Sequence, residues 1–237
     1  RYYLYYAFDF LGIMSVAVCD TPAGEYKFLG HIHYADGTLW GRRRGDQLPF
    51  DPGVLADDDG RVWLYSGFYN AVPAILTGGH KLRCDGGTVL ELEKDMVTIK
   101  TEPRVIFPKK GPGAFQGHEF FEASSIRKEG KTYIFVYSSR HNHELCYATS
   151  QSPDRDFSSG GPLVSQGDIF LDSNLSEKHA ANYLGNTHGG LLKLEDKWYV
   201  FYHRQTNRHS YSRQACAEKL RRNENGAFLQ AEVTSCG

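Results

Sequence analysis

At 237 residues, with 41% apolar and 14% aromatic side chains, the chain can bury the core of one large domain or two small ones. A net charge of −1 offers no basic face for nucleic acid, and no apolar run approaches the roughly 20 residues that span a bilayer. Fifteen tyrosines, 14 phenylalanines and 25 glycines suit short strands joined by tight turns, because rings pack on pleated faces and glycine turns freely.

The first predicted strand is Tyr2-Tyr3-Leu4-Tyr5-Tyr6-Ala7, and a second covers residues 15–22. The run Arg42-Arg43-Arg44, flanked by Gly41 and Gly45, reads as a solvated turn rather than a docking site. Gly53-Val54-Leu55-Ala56, the turn Asp59-Gly60-Arg61 and Val62-Trp63-Leu64-Tyr65-Ser66-Gly67 form a predicted hairpin. Asp57-Asp58-Asp59-Gly60 is similar to a calcium loop but lacks the later bidentate glutamate, so a hairpin turn is the better reading. The hairpin pattern returns in Ser125-Ile126-Arg127, Glu129-Gly130-Lys131 and Tyr133-Ile134-Phe135-Val136-Tyr137-Ser138, with a third strand over 145–153. It returns again in Gly190-Leu191-Leu192-Lys193-Leu194, Glu195-Asp196-Lys197 and Trp198-Tyr199-Val200-Phe201-Tyr202-His203.

Copies of a hairpin at about 60 to 70 residues, with no amphipathic helix between them, predict an all-β propeller whose sheets pack as blades. The blade repeats fall near 1–49, 50–114, 115–180 and 181–237, as one incomplete propeller domain. The first copy lacks its leading strand, so the chain is expected to continue upstream of Arg1, or to be completed by another chain. Cys19, Cys84, Cys146, Cys216 and Cys236 show no metal-binding spacing and are expected to be free, buried thiols.

In a propeller the innermost strand of each blade lines the central channel. Three polar residues stand at equivalent starts of successive repeats: Asp51, Glu122 and His188. Asp51 before Pro52 is otherwise a turn former, and His188 among Asn and Gly residues is otherwise a turn histidine. Glu122, after Phe120-Phe121 and before Ala123, is expected to be partly desolvated, which raises a carboxyl pKa as a general acid requires. Glu119 beside His118 is the competing acid, expected to be more solvated.

At these segments the chain resembles glycoside hydrolase family 43, five-bladed propellers that act mainly on arabinose- and xylose-containing plant polysaccharides and oligosaccharides. The resemblance rests on Phe50-Asp51-Pro52 with Asp58-Asp59-Gly60 and Trp63-Leu64-Tyr65, on Phe121-Glu122-Ala123 with Lys131-Thr132-Tyr133, and on Asn186-Thr187-His188-Gly189 with residues 197–203. Ser212-Arg213-Gln214 with Ala217-Glu218 resembles the family's last blade.

The resemblance implies an inverting three-carboxylate site, with Glu122 as general acid and Asp51 as the aspartate that tunes it. The general base is expected upstream of residue 1, with the first blade and the first strand of the second. His188 matches a histidine that helps hold a channel ion, calcium being the candidate, and Arg213 matches an arginine that reaches the sugar. Phe50 and Trp40 are the candidate aromatic contacts to substrate, and residues 39–48 and 109–117 the candidate pocket loops. The expected substrate is carbohydrate, cleaved at arabinosyl or xylosyl linkages. The alternatives are a carbohydrate-binding propeller without catalysis and a fructan-type hydrolase. A secreted and a bacterial cytoplasmic location stay open.

Overall fold

The computed structural model of the protein describes residues 1–171, 176–207 and 209–233. Its regular structure is almost wholly strand; the helical content among the described residues is two short 3-10 turns, Asp9–Leu11 and Glu177–His179. None of the described helices is long and apolar enough to cross a membrane. Internal contacts divide the chain into two compact units, one of residues 1–114 and 120–124, the other of residues 115–119 and 125 onward.

The first unit carries two antiparallel sheets. One has the order β1 (Tyr2–Ala7), β2 (Met14–Cys19), β3 (Lys27–His31). The other has the order β4 (Gly53–Ala56), β5 (Val62–Phe68), β6 (Gly86–Leu92), β7 (Arg104–Pro108). Asp57 and Gly60 close the β4–β5 hairpin, with Asp57 N–H on Arg61 O at 2.8 Å, so the acidic run is a turn. Met14, Val16, Ile32, Tyr34, Trp40, Leu64, Leu90 and Leu92 form one core cluster, and Leu48, Phe68, Leu82 and Cys84 a second. β1 is an edge strand, and Tyr2 and Leu4 point outward from it.

The second unit carries the remaining sheets. β8 (Phe120–Glu129) begins among first-unit residues and continues in the second, where the order is β11 (Ser158–Ser165), β10 (Glu144–Ser150), β9 (Thr132–Ser139), β8. The last sheet is β12 (Gly189–Leu194), β13 (Lys197–Thr206), β14 (His209–Leu220). Its core runs through Val136, Leu145, Tyr147, Leu191, Trp198, Val200 and Phe228. The paired apolar runs of the repeated pattern are strands, while the third strands end at Cys19 and Ser150, short of the expected residues 22 and 153.

Two sequence readings are corrected here. Of the basic run, only Arg44 is a plain exposed side chain. Arg42 donates to Gly41 O and Leu11 O, while Arg43 lies 3.4 Å over the Tyr34 ring and pairs with Asp36 at 2.8 Å. The cysteines divide too: Cys84 and Cys146 are buried free thiols, Cys19 and Cys216 are free but only partly buried, and Cys236 lies outside the described residues.

Candidate active site

The site in the first unit starts with backbone. Ser66, buried on β5, takes the Phe50 N–H on its Oγ at 2.7 Å and donates back to Phe50 O at 2.7 Å. Gly67 N–H adds a third bond to the same carbonyl at 3.0 Å. Phe50 is thereby pinned, its ring stacked on Phe10 at 5.3 Å and against Phe68 at 4.9 Å. The next residue, Asp51, adopts φ +47°, a left-handed conformation uncommon outside glycine and of the kind that collects at functional sites.

Glu122 is positioned from the other side. Phe120 is buried and stacked on Phe107 at 6.2 Å, and Phe121 packs on Phe68 at 5.3 Å. These anchors place Glu122 with the buried face of β8, where it is 9% exposed, in accord with the desolvated position expected for it. Close approach then follows from one glycine: a Cβ on Gly53 would stand 2.5 Å from Ser124 O, so the start of β4 can meet the start of β8 only without a side chain. Ala123, itself at φ +67°, donates its N–H to Asp51 Oδ2 at 3.2 Å. The result is two carboxylates whose oxygens lie within 4.8 Å of each other.

Glu119 has a different task. Its Oε2 pairs with Arg140 Nε at 3.0 Å and its carbonyl accepts the Arg140 N–H, so it is ion-paired rather than solvated. Trp40 is also reassigned. It is 1% exposed in the core of the first unit, and a ring enclosed in this way has no face for a sugar. Phe50, half-buried in its aromatic group, keeps part of its surface.

His188 and Arg213, in the second unit, meet around a residue the sequence reading did not select. His203 on β13 stacks against His188 with ring centres 5.6 Å apart, and its N–H bonds to His188 O at 3.3 Å. A Cβ on Gly189 would lie 2.3 Å from Phe201 O, which explains the glycine after His188. Arg213 is exposed; its Nε donates to Ser210 O at 3.0 Å and its Nη1 lies 3.4 Å from His203 Nε2. Burial, then the neighbouring His188 and Arg213, push the His203 pKa down to about 4, so the ring is neutral near pH 7. Because Arg213 can only donate, His203 accepts on Nε2 and carries its proton on Nδ1, which is buried with no partner among the described residues. A signal was present in the sequence: His203 is the last residue of the repeated strand, where the other copies have Ala7, Gly67 and Ser138.

Comparison with known proteins is consistent across sequence and structure. The model of Glycosyl hydrolases family 43 matches residues 1–228. A xylosidase/arabinosidase of Thermoclostridium stercorarium is 48% identical over the whole of this chain and 49% of its own length. Another of that description, from Bacteroides ovatus, is 30% identical over 86% of this chain and 60% of its own. The chain therefore spans about half to three-fifths of these relatives. Among solved structures, a family 43 β-xylosidase/α-arabinofuranosidase from a compost metagenome, in complex with xylotriose and in calcium-free form, superposes with a TM-score of 0.69. It is 23% identical, covering 97% of this chain and 69% of the other. An arabinoxylan arabinofuranohydrolase of Bacillus subtilis, in complex with cellotetraose, gives 0.68 at 23% identity over 99% and 47%. These likenesses establish the fold, and the antiparallel sheets are blades of a β-propeller. With the family model covering all but the last nine residues, this chain belongs to glycosyl hydrolases family 43.

Proposed function

We propose that the protein containing this chain is a glycoside hydrolase that cleaves arabinosyl or xylosyl linkages of plant polysaccharides or oligosaccharides with inversion. The observation that carries this reading is the pair of carboxylates in the first unit, one of them almost fully buried, held within 4.8 Å. Glu122 donates its proton to the glycosidic oxygen as the bond to the anomeric carbon breaks. Asp51, fixed by the Ala123 N–H, orients the acid. The base that activates water is assigned to sequence preceding Arg1, and for an inverting reaction its carboxylate stands roughly 6.5–9.5 Å from that of Glu122. Phe50 and Arg213 are the proposed sugar contacts. The names of the relatives, xylosidase/arabinosidase, support the substrate class.

A calcium ion is the proposed cofactor at His188. His188 would hold it by a ring nitrogen, and calcium's preference for oxygen ligands requires water for other positions. The orphaned Nδ1–H of His203 fits such a water, since it is a buried donor lacking an acceptor. The ion would supply fixed positive charge.

The test is hydrolysis by the parent protein of xylo- and arabino-oligosaccharides and of aryl glycosides. Glu122→Gln is expected to slow oligosaccharide cleavage by about 10²–10⁴-fold. Dinitrophenyl glycosides, whose leaving group needs no proton, should lose far less. Full turnover of oligosaccharides by Glu122→Gln would refute the acid assignment, and binding without turnover in the wild type would indicate a carbohydrate-binding propeller.

A further inference from the structure

We propose that His141, His143 and Glu177, all in the second unit, form a binding site for a divalent transition-metal ion of the zinc class. Two histidines and one carboxylate are a borderline nitrogen and oxygen donor set of the kind zinc takes, leaving one position for water. The three ligand atoms lie within 4.8 Å of one another.

The two histidines sit in the turn between β9 and β10, and that turn is held firmly. Asn142 adopts φ +57° and donates its N–H to Ser139 O at 2.8 Å. Its carbonyl accepts from Thr187 Oγ1 at 3.2 Å, and the His143 carbonyl accepts from Gln166 N–H at 2.7 Å. The ligands are thus presented from fixed backbone, as a site with pre-set geometry requires.

Ring orientation supports the same reading. His141 Nε2 lies 3.0 Å from Gly117 O. A carbonyl only accepts, so this nitrogen carries the hydrogen and Nδ1 keeps its lone pair for a metal. His143 is 2% exposed, and its Nδ1 meets Ser165 Oγ at 3.1 Å, which leaves Nε2 facing Glu177. His143 Nε2 and Glu177 Oε1 are 3.6 Å apart, long for a hydrogen bond. Two ligands bound at about 2.0–2.2 Å around one tetrahedral ion stand roughly 3.3–3.5 Å apart, so this pair needs little movement. A second cluster, His118 with Glu144 and Cys146, is unlike it. There His118 Nδ1 already bonds to Glu144 at 2.7 Å, and burial keeps the Cys146 thiol protonated.

Zinc chloride titrated calorimetrically into the metal-free chain is expected to bind one ion per chain at this site. His141→Ala and Glu177→Gln change exposed side chains, so the fold should tolerate them. Each should weaken binding at least tenfold. Cobalt(II) in place of zinc should give the intense visible absorption of a low-coordinate site in the wild type and lose it in both variants. No zinc binding by the wild type would overturn the proposal. So would wild-type binding in both variants, or a loss of binding caused instead by His188→Ala. Each readout is independent of glycoside hydrolysis.

Discussion

Glu144 shows how a single buried charge is kept. Its side chain is fully enclosed, and its Oε1 accepts from His118 Nδ1 at 2.7 Å and from Ser139 Oγ at 2.5 Å. Burial raises the Glu144 pKa, but these donors outweigh it and hold the group below its ordinary value of 4.5. The same hydrogen bond raises His118 above its ordinary 6.5. A lowered carboxylate stabilises the fold above 4.5 and loses that contribution as pH falls; a raised histidine stabilises it below 6.5 and loses that contribution as pH rises. The pair therefore gives its full benefit between pH 4.5 and 6.5. His118→Ala strands the carboxylate and is expected to cost about 3–5 kcal/mol at pH 6. In urea denaturation the gap between wild type and variant should narrow as pH rises toward 9; a constant gap would refute the charged-pair account. The sequence makes Glu122 and Asp51 legible because flanking apolar and turn residues mark them. It hides the left-handed backbone at Asp51 and Ala123, and it invited a sugar-stacking reading of Trp40, since enclosure of a ring depends on residues far along the chain.

Among the elements, the inner hairpins and the third strands β2 and β10 were readable, and β3, β6, β7, β11 and β14 were not. β4, β5, β9, β12 and β13 are apolar runs paired across short turns, and that pattern survives in the sequence. β6 begins Gly86-Gly87, β11 contains Gly160-Gly161-Pro162, and most of β14 alternates exposed with half-buried residues, so each lacks a periodic apolar face. Packing decides these strands: a Cβ on Gly87 would lie 2.9 Å from the Phe107 ring and 3.1 Å from Phe120. The same reasoning makes Gly53→Ala informative. Overpacking against Ser124 should cost about 1–3 kcal/mol and drive the starts of β4 and β8 apart. Activity of the parent protein should fall with stability. Gly60→Ala, at φ +82° in open space, should cost about 1–2 kcal/mol from strain alone and leave kcat/KM intact. Equal kcat/KM in both variants would show that the β4–β8 approach does not position the carboxylates.

At the scale of the molecule, β8 is the element the two units share: residues 120–124 belong to the first and 125–129 to the second. Losing either unit removes support from this strand, so the units are expected to unfold together. Trp40 and Trp63 report on the first and Trp198 on the second. Guanidinium melts of Trp198→Phe and of the Trp40→Phe/Trp63→Phe double variant should share one midpoint after correction for each variant's stability, and separate midpoints would show independent folding. β1 carries a consequence for pairing. Among the described residues its outer hydrogen-bonding row faces no neighbour, and Leu4 on the same strand is 50% exposed. Such a row templates a further strand, so in the protein as a whole it is where another strand is expected to add.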